Sequence, residues 1–302
     1  MENVDRRQFL SLVAAGGAAL SRLDAAAPPQ IDFPTDTRAR IAVASYPFGK
    51  DLDRHKGKMT LLDFPQMVAD RFGVFGIEPV DDHFASTDTE YLTRLRGSLA
   101  KAKARIVNVP VGVGGSLYDP DLKKRAQAMD KSRHWIDVAA FLDSPCVRLH
   151  LEGTKRAKTD AKTAAASLRV LGEYSAGKNV VIHLENDSPT TEDPFLLSDI
   201  IAQAGTPWVR SLPDFGNSMA ARKGADFNYQ AVTEMFRNAY GICHVKDALR
   251  TGKDLFSFDL DRTLRIAKDA NYRGYFSMEY DSAGDPYEPT QRLIEGTLKA
   301  FS

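Results

Sequence analysis

Sulfur and imidazole are scarce in this chain of 302 residues, which holds two cysteines and six histidines. Cys146 and Cys243 cannot staple a chain of this size, and without a C-x-x-C pair a thiolate zinc site of that kind is excluded. Both lie in apolar runs that read as strands, so they are expected to be small buried side chains. Charge of one sign is missing too. Lys plus Arg number 40 and Asp plus Glu number 40, so the chain lacks the basic surplus of a nucleic-acid binder. There is no G-x-S-x-G, no H-E-x-x-H and no complete G-x-G-x-x-G. Gly112, Gly114 and Gly115 follow a strand candidate but lack the last glycine, and read as a flexible loop. No apolar run approaches the roughly 20 residues of a bilayer span, so stable membrane insertion is not expected.

What is present is a globular composition, 43% hydrophobic and 26% charged, in a chain long enough for a large core and a cleft. The first thirty residues stand apart. Asp5-Arg6-Arg7-Gln8-Phe9-Leu10 precedes a weakly apolar run over 12–20, then Ala25-Ala26-Ala27 and a Pro28-Pro29 break. A charged start, a short apolar middle and small residues at the end describe a secretory signal. The paired arginines resemble a bacterial twin-arginine signal. The sequence therefore predicts a signal and linker over residues 1–30, a mature domain over 31–302, and a periplasmic or secreted protein.

From Arg40 onward one rhythm repeats: a β-branched run, a polar loop, an amphipathic stretch, and the next run. The strand candidates are Ile41–Tyr46, Val74–Glu78, Arg105–Val111, Cys146–Leu151, Asn179–Glu185, Trp208–Asp214, Gly241–Lys246 and Tyr275–Tyr280. Helical periodicity falls between them. Phe64, Met67, Val68 and Phe72 share one face; Leu122, Ala126, Met129, Ile136 and Ala140 make a longer one. Pro194 suits a first helical turn, and Gly177 suits a C-cap. Alternation of this kind means a parallel sheet with helical crossovers, and eight units predict closure into a single-domain (β/α)8 TIM barrel. An open doubly wound sheet is the alternative, without a glycine fingerprint to support it.

Active sites of such barrels lie at the C-terminal ends of the strands. The fifth to eighth candidates carry Glu185, Asp214, His244 and Glu279 at or near their ends, spaced by roughly 30 residues, about one βα unit. Burying three carboxylates together costs many kcal/mol unless a cation compensates. Oxygen and imidazole donors without thiolate suit one divalent metal ion: Mn²⁺, Mg²⁺, Co²⁺ or Zn²⁺. Side chains two apart on a strand share a face, which sets His183 with Glu185 and Lys246 with His244. Lys246 is a candidate electrophile or base. Arg148 and His150, on the fourth candidate, are candidate substrate ligands. Glu78 and His83 are candidates at the mouth.

The Glu–Asp–His–Glu order resembles the xylose-isomerase-like TIM-barrel superfamily of sugar isomerases and epimerases, and His244-Val245-Lys246-Asp247 looks like that family's usual seventh-strand end. The resemblance runs from Arg40 to about Ser302. It implies that Glu185, Asp214, His244 and Glu279 are the metal ligands and that Glu185 and Glu279 are an acid/base pair on opposite faces of the substrate. One departure counts: ketose 3-epimerases place a histidine three residues after the aspartate, where this chain has Asn217, itself a candidate substrate contact. The implied activity is divalent-metal-dependent isomerisation or epimerisation of a polyhydroxylated carbonyl substrate through an enediolate, with catalytic Glu185, Glu279 and Lys246. The alternatives are a lyase or hydratase of 3-keto-glycosides or inosose-like keto-polyols, and a sugar-binding barrel without turnover. The expected partner is a small sugar or keto-sugar and no nucleic acid; a homo-oligomer is compatible with the sequence. Endonuclease IV, from the same superfamily, uses three metals and a phosphate-attracting groove, for which the zero net charge and few histidines leave little provision.

Overall fold

The computed structural model describes residues 27–53, 57–153 and 158–302. The expected signal, except for its last few residues, lies outside the described residues.

In chain order the strands are β1 (Ile41–Ala44), β2 (Gly76–Glu78), β3 (Arg105–Ile106), β4 (Pro110–Val111), β5 (Cys146–Leu149), β6 (Val181–Glu185), β7 (Val209–Leu212), β8 (Ile242–Val245), β9 (Ala248–Thr251), β10 (Asp254–Ser257) and β11 (Tyr275–Met278). The helices are α1 (Phe64–Phe72), α2 (Thr89–Ala102), α3 (Leu122–Phe141), α4 (Ala161–Ala176), α5 (Pro194–Ala204), α6 (Ala225–Phe236), α7 (Leu260–Asp269) and α8 (Tyr287–Ala300). All strand pairs are parallel except the β9–β10 hairpin, in two arcs ordered β3-β2-β1-β11-β8 and β4-β5-β6-β7. The arcs join twice. β3 and β4 are the two ends of the third expected strand, broken around Asn108 ahead of Pro110, which brings no N–H to the ladder. Beyond β7 the chain meets β8, where His244 N–H donates to the Pro213 carbonyl at 3.0 Å and Phe215 N–H to that of His244 at 3.2 Å. The result is the expected TIM barrel.

Aspartates cap α2, α3, α4, α5 and α7: Asp88, Asp121, Asp160, Asp193 and Asp259 each accept backbone N–H bonds of the first turn. Such caps satisfy amides with no intrahelical partner and fix where each βα loop ends. Pro194 opens α5 as the sequence suggests. The face expected for α3 holds at Met129, Ile136 and Ala140, which pack on the core, and is corrected at its start, where Leu122 is 70% exposed and Ala126 is exposed; Ala128, Trp135 and Ala139 are buried as well. The first turn, which carries Lys123, Lys124 and Arg125, has no fully buried residue. Cys146 and Cys243 are free and buried.

The bottom of the barrel is closed by the segment before β1. Phe33 packs edge-on against Tyr240 and Tyr275, at 5.5 and 5.6 Å between ring centroids. Trp208 Nε1 donates to the Ala27 carbonyl at 2.8 Å and the Tyr240 hydroxyl to that of Pro29 at 2.7 Å. Residues assigned from sequence to the linker thus already pack on the barrel. The opposite end stays open and carries the site.

Candidate functional site

Each of four neighbouring strands delivers one polar side chain to a single point. β6 ends on Glu185, and β8 carries His244 inward. Past β7, Asp214 turns the chain: its Oδ1 accepts the N–H of Gly216 at 2.8 Å and of Asn217 at 2.7 Å, which fixes the carboxylate. Gly216 is needed there, because a Cβ would lie 2.5 Å from the Phe258 ring. Glu279 follows β11, tied by its N–H to the Val245 carbonyl at 2.9 Å. His244 Nδ1 lies 2.9 Å from Glu185 Oε1, 3.3 Å from Glu279 Oε2 and 3.6 Å from Asp214 Oδ2. One ligand atom from each of the four residues falls within 4.8 Å of all the others. Asp214 Oδ2 and Glu185 Oε2 are buried without a hydrogen bond. Buried oxygens are seldom left so. Three carboxylates and an imidazole converging on one point are a donor set that fits a hard or borderline divalent ion.

The other face of His244 is held as well. Its Nε2 lies 3.0 Å from Glu78 Oε1. Glu78 in turn accepts from Asn108 Nδ2 at 2.7 Å and from the Ser277 hydroxyl. Glu78, expected at the mouth, is instead fully buried beneath the histidine. A carboxylate behind a ligating imidazole fixes its tautomer and orientation.

Lys246 is 1% exposed and sits among acids, with Nζ 2.9 Å from Asp214 Oδ2, 2.7 Å from Glu279 Oε2 and 3.6 Å from Asp281 Oδ2. Burial opposes its charge, but these carboxylates outweigh burial and raise its pKa well above the ordinary lysine value. These contacts hold it against the site. Asn217 spans the site, donating to Glu185 Oε1 at 3.1 Å and accepting from Lys246 Nζ at 3.1 Å. Arg148 Nε lies 2.9 Å from Glu185 Oε2 but out of line, so that Nε and Nη1 keep no hydrogen bond. The two glutamates are driven apart. Burial raises the Glu185 pKa against the pull of His244 and Arg148. For Glu279 burial is outweighed by His244 and Lys246, which hold it well below the usual range. Burial also works against a charged His244, and Glu279, Glu78 and Glu185 together reverse that and raise it well above an ordinary histidine.

Above this cluster opens a cleft of about 280 Å³. Arg148, His150, Glu185, Asn217, Lys246 and Glu279 all line it. His150 Nδ1 meets Glu192 Oε1 at 3.1 Å and Asp187 Oδ2 at 3.5 Å. Burial and Arg148 lower its pKa, and Glu192 with Asp187 restores it to above the ordinary value. Two expected residues are elsewhere. His183 does point inward like Glu185, but one layer deeper, where its Nε2 accepts the Gly241 N–H at 3.0 Å. Burial pushes its pKa down to about 3, so it is a neutral packing residue outside the cleft. His83 bonds Ser45 Oγ through Nδ1 at 2.8 Å and lines a different cavity, beside Leu61 and Tyr91. Sequence reasoning missed Tyr46, Asp81, Asp82, Asp187 and Asp281 on the cleft wall and Glu192 behind it. The only signal for the wall residues was position, two to four residues past a strand end, and Glu192, seven past the end of β6, had none.

A family model described as the xylose isomerase-like TIM barrel matches residues 68–300. The chain belongs to that family. Among solved structures, a xylose isomerase-like TIM barrel protein from Mycobacterium smegmatis in complex with magnesium is similar at 16% identity and a TM-score of 0.67, covering 87% of this chain and 98% of its own. L-ribulose 3-epimerase is similar at 15% identity and a TM-score of 0.69, covering 87% of this chain and 95% of its own. The apo form of 3-keto-D-glucoside 4-epimerase from E. coli gives 14% identity and a TM-score of 0.64, covering 86% of this chain and 98% of its own. At such identities the likeness carries the fold. Among curated proteins no sequence matches this chain.

Proposed function

We propose that this xylose isomerase-like barrel is a divalent-metal-dependent isomerase or epimerase of a polyhydroxylated carbonyl compound. The observation that carries the reading is the convergence of Glu185, Asp214, His244 and Glu279, one ligand atom of each within 4.8 Å of all the others. Magnesium in one structural relative and epimerase activity in two others support it.

The four residues would hold the ion, which when bound supplies Lewis-acid stabilisation of negative charge developing on a substrate oxygen. This chain's residues do the rest. One glutamate accepts the proton from the carbon beside the carbonyl, and the other returns one, on the opposite face for an epimer. General acid–base steps of this kind contribute about 10²–10⁴-fold. Lys246 and Arg148, the cations beside the two glutamates, would offset negative charge developing on the substrate oxygens. Glu78 keeps the imidazole of His244 in one orientation. Beyond the residues that would hold the ion, the wall offers Asp81, Asp82, Asp187 and Asp281 beside Arg148, Lys246 and His150, a mixed polar lining suited to hydroxyls.

The test is α-proton exchange in D₂O, read by NMR, with metal-loaded protein and a panel of sugars and 3-keto-sugars. Deuterium should appear at the inverted carbon. Glu185→Gln and Glu279→Gln should each remove turnover, seen as loss of the inverted product, and retain part of the metal binding, and a chelator should abolish exchange. No exchange with any member of the panel would sink the assignment. A second reading, a lyase on 3-keto-glycosides or keto-polyols, is favoured by Asn217, which puts an amide where ketose 3-epimerases carry an imidazole; its sign is an aglycone released in step with ultraviolet absorbance.

We infer export by the twin-arginine route from Arg6-Arg7 ahead of Phe9-Leu10. Replacing both arginines by lysine should leave the precursor in the cytoplasm, and normal export of that variant would refute the route.

A further inference from the structure

Tyr46 stands out at the mouth: it is 53% exposed, while Ser45 and Phe48 on either side of its turn are buried. Two cavities meet at it. One is the acid-lined cleft of about 280 Å³. The other, about 560 Å³, lies between the loop that follows β1 and the loop that follows β11. Tyr46 and Asp281 line both. Asp281 is fixed on this shared wall, since its carbonyl accepts the Arg250 N–H of β9 at 3.0 Å and its carboxylate lies 3.6 Å from Lys246 Nζ. Strand alternation explains the division: after β11, Glu279 and Asp281 face the cleft while Tyr280, between them, lines only the second cavity.

Size and chemistry point the same way. The cleft alone is just below the range of about 300–1,000 Å³ typical of small-molecule sites, whereas cleft and second cavity together fall well inside it. The second cavity offers aromatic rings on Tyr46 and Tyr280 and carboxylates on Asp51, Asp281 and Asp285, which outnumber Lys50 and Lys58. Aromatic faces for the apolar face of a ring and carboxylates for hydroxyls suit an uncharged sugar and repel an anion.

We propose that this second cavity is a subsite for a second sugar ring. The substrate class is then a disaccharide-like glycoside, with the reacting ring over Glu185 and Glu279 and the other ring against Tyr46. The placement of the reacting ring rests on the sugar reading above.

Binding tests this without turnover. Metal-loaded protein is titrated by calorimetry with D-glucose, methyl β-D-glucoside, phenyl β-D-glucoside, cellobiose, maltose and the 3-keto forms of glucose and cellobiose. Saturation-transfer NMR then maps which ring protons touch protein. At least one disaccharide should bind about ten-fold or more tightly than its monosaccharide, with saturation on both rings. Tyr46→Ala, and Ala283→Trp, which fills the second cavity, should each bring that ratio to about one, and Tyr46→Phe should preserve it. Equal affinity for one and two rings overturns the subsite. So does a ratio unchanged in both Tyr46→Ala and Ala283→Trp, a preference for the phenyl glucoside over every disaccharide, or no binding by any sugar. A 3-keto-disaccharide that binds through both rings without α-proton exchange in D₂O upholds the subsite and sinks the isomerase reading.

Discussion

Glu78 shows how much of this site is support. Its carboxylate is the shared acceptor for His244 Nε2, Asn108 Nδ2 and the Ser277 hydroxyl. Truncation to alanine would orphan three buried polar groups, each costing about 1–3 kcal/mol. Glu78→Ala should therefore lower the melting temperature steeply. Glu78→Gln has the same shape and separates positioning from folding: it should fold, and its metal affinity should fall about 10–100-fold, the usual cost of losing a partner behind a ligand. Calorimetric titration with Mn²⁺ measures it. Wild-type affinity in folded Glu78→Gln would mean that the carboxylate only fills space.

At the scale of elements, close approach of backbone to side chain decides where glycine is required. Gly241 opens β8 against the floor of the barrel, and a Cβ there would lie 2.3 Å from Cys146 Sγ and 2.7 Å from His183 Cε1. Neither neighbour can yield, since both are fully buried and His183 is pinned by its bond to the Gly241 N–H. Gly241→Ala should cost about 1–3 kcal/mol or more, the usual price of overpacking. Urea denaturation checks this, and an unchanged midpoint would show that the floor can repack. The same contact separates what the sequence reveals from what it hides. Strand ends at βα spacing made Glu185, Asp214, His244 and Glu279 legible, because barrel closure brings neighbouring strands together whatever their loops do. Strand period placed His183 on the correct face and said nothing of depth, so it was taken for a cleft residue. The β9–β10 hairpin was missed because its strands are short and half-exposed, leaving only Gly252 at the turn, with φ of 62°, as a signal. Yet that hairpin holds the backbone of Asp281. Asp81, Asp82 and Asp187 sit on loops, where no period assigns direction.

For the molecule as a whole, one end of the barrel must be open for substrate and the other sealed against water. Residues 27–36 provide part of the seal, through Phe33 between Tyr240 and Tyr275 and through the Ala27 and Pro29 carbonyls. The expected signal overlaps the start of this segment, so processing is constrained: a cut after Pro29 would remove the acceptors of the Trp208 indole and the Tyr240 hydroxyl. The mature chain should therefore still contain Ala27, which sequencing of the exported protein's N-terminus would establish. Truncations test the energetics. Removing 1–26 should leave the melting temperature within a degree or two. Removing 1–36 takes away the Ala27, Pro29 and Asp36 acceptors, worth about 1 kcal/mol each, and the partial burial of Phe33, worth about 1–2 kcal/mol. A combined loss of roughly 3–5 kcal/mol corresponds to a drop on the order of 10 °C in a chain of this size. Metal affinity should persist in the shortened chain while it remains folded, because the four ligands lie at the opposite end. Equal melting temperatures for the two truncations would show that the barrel floor seals itself.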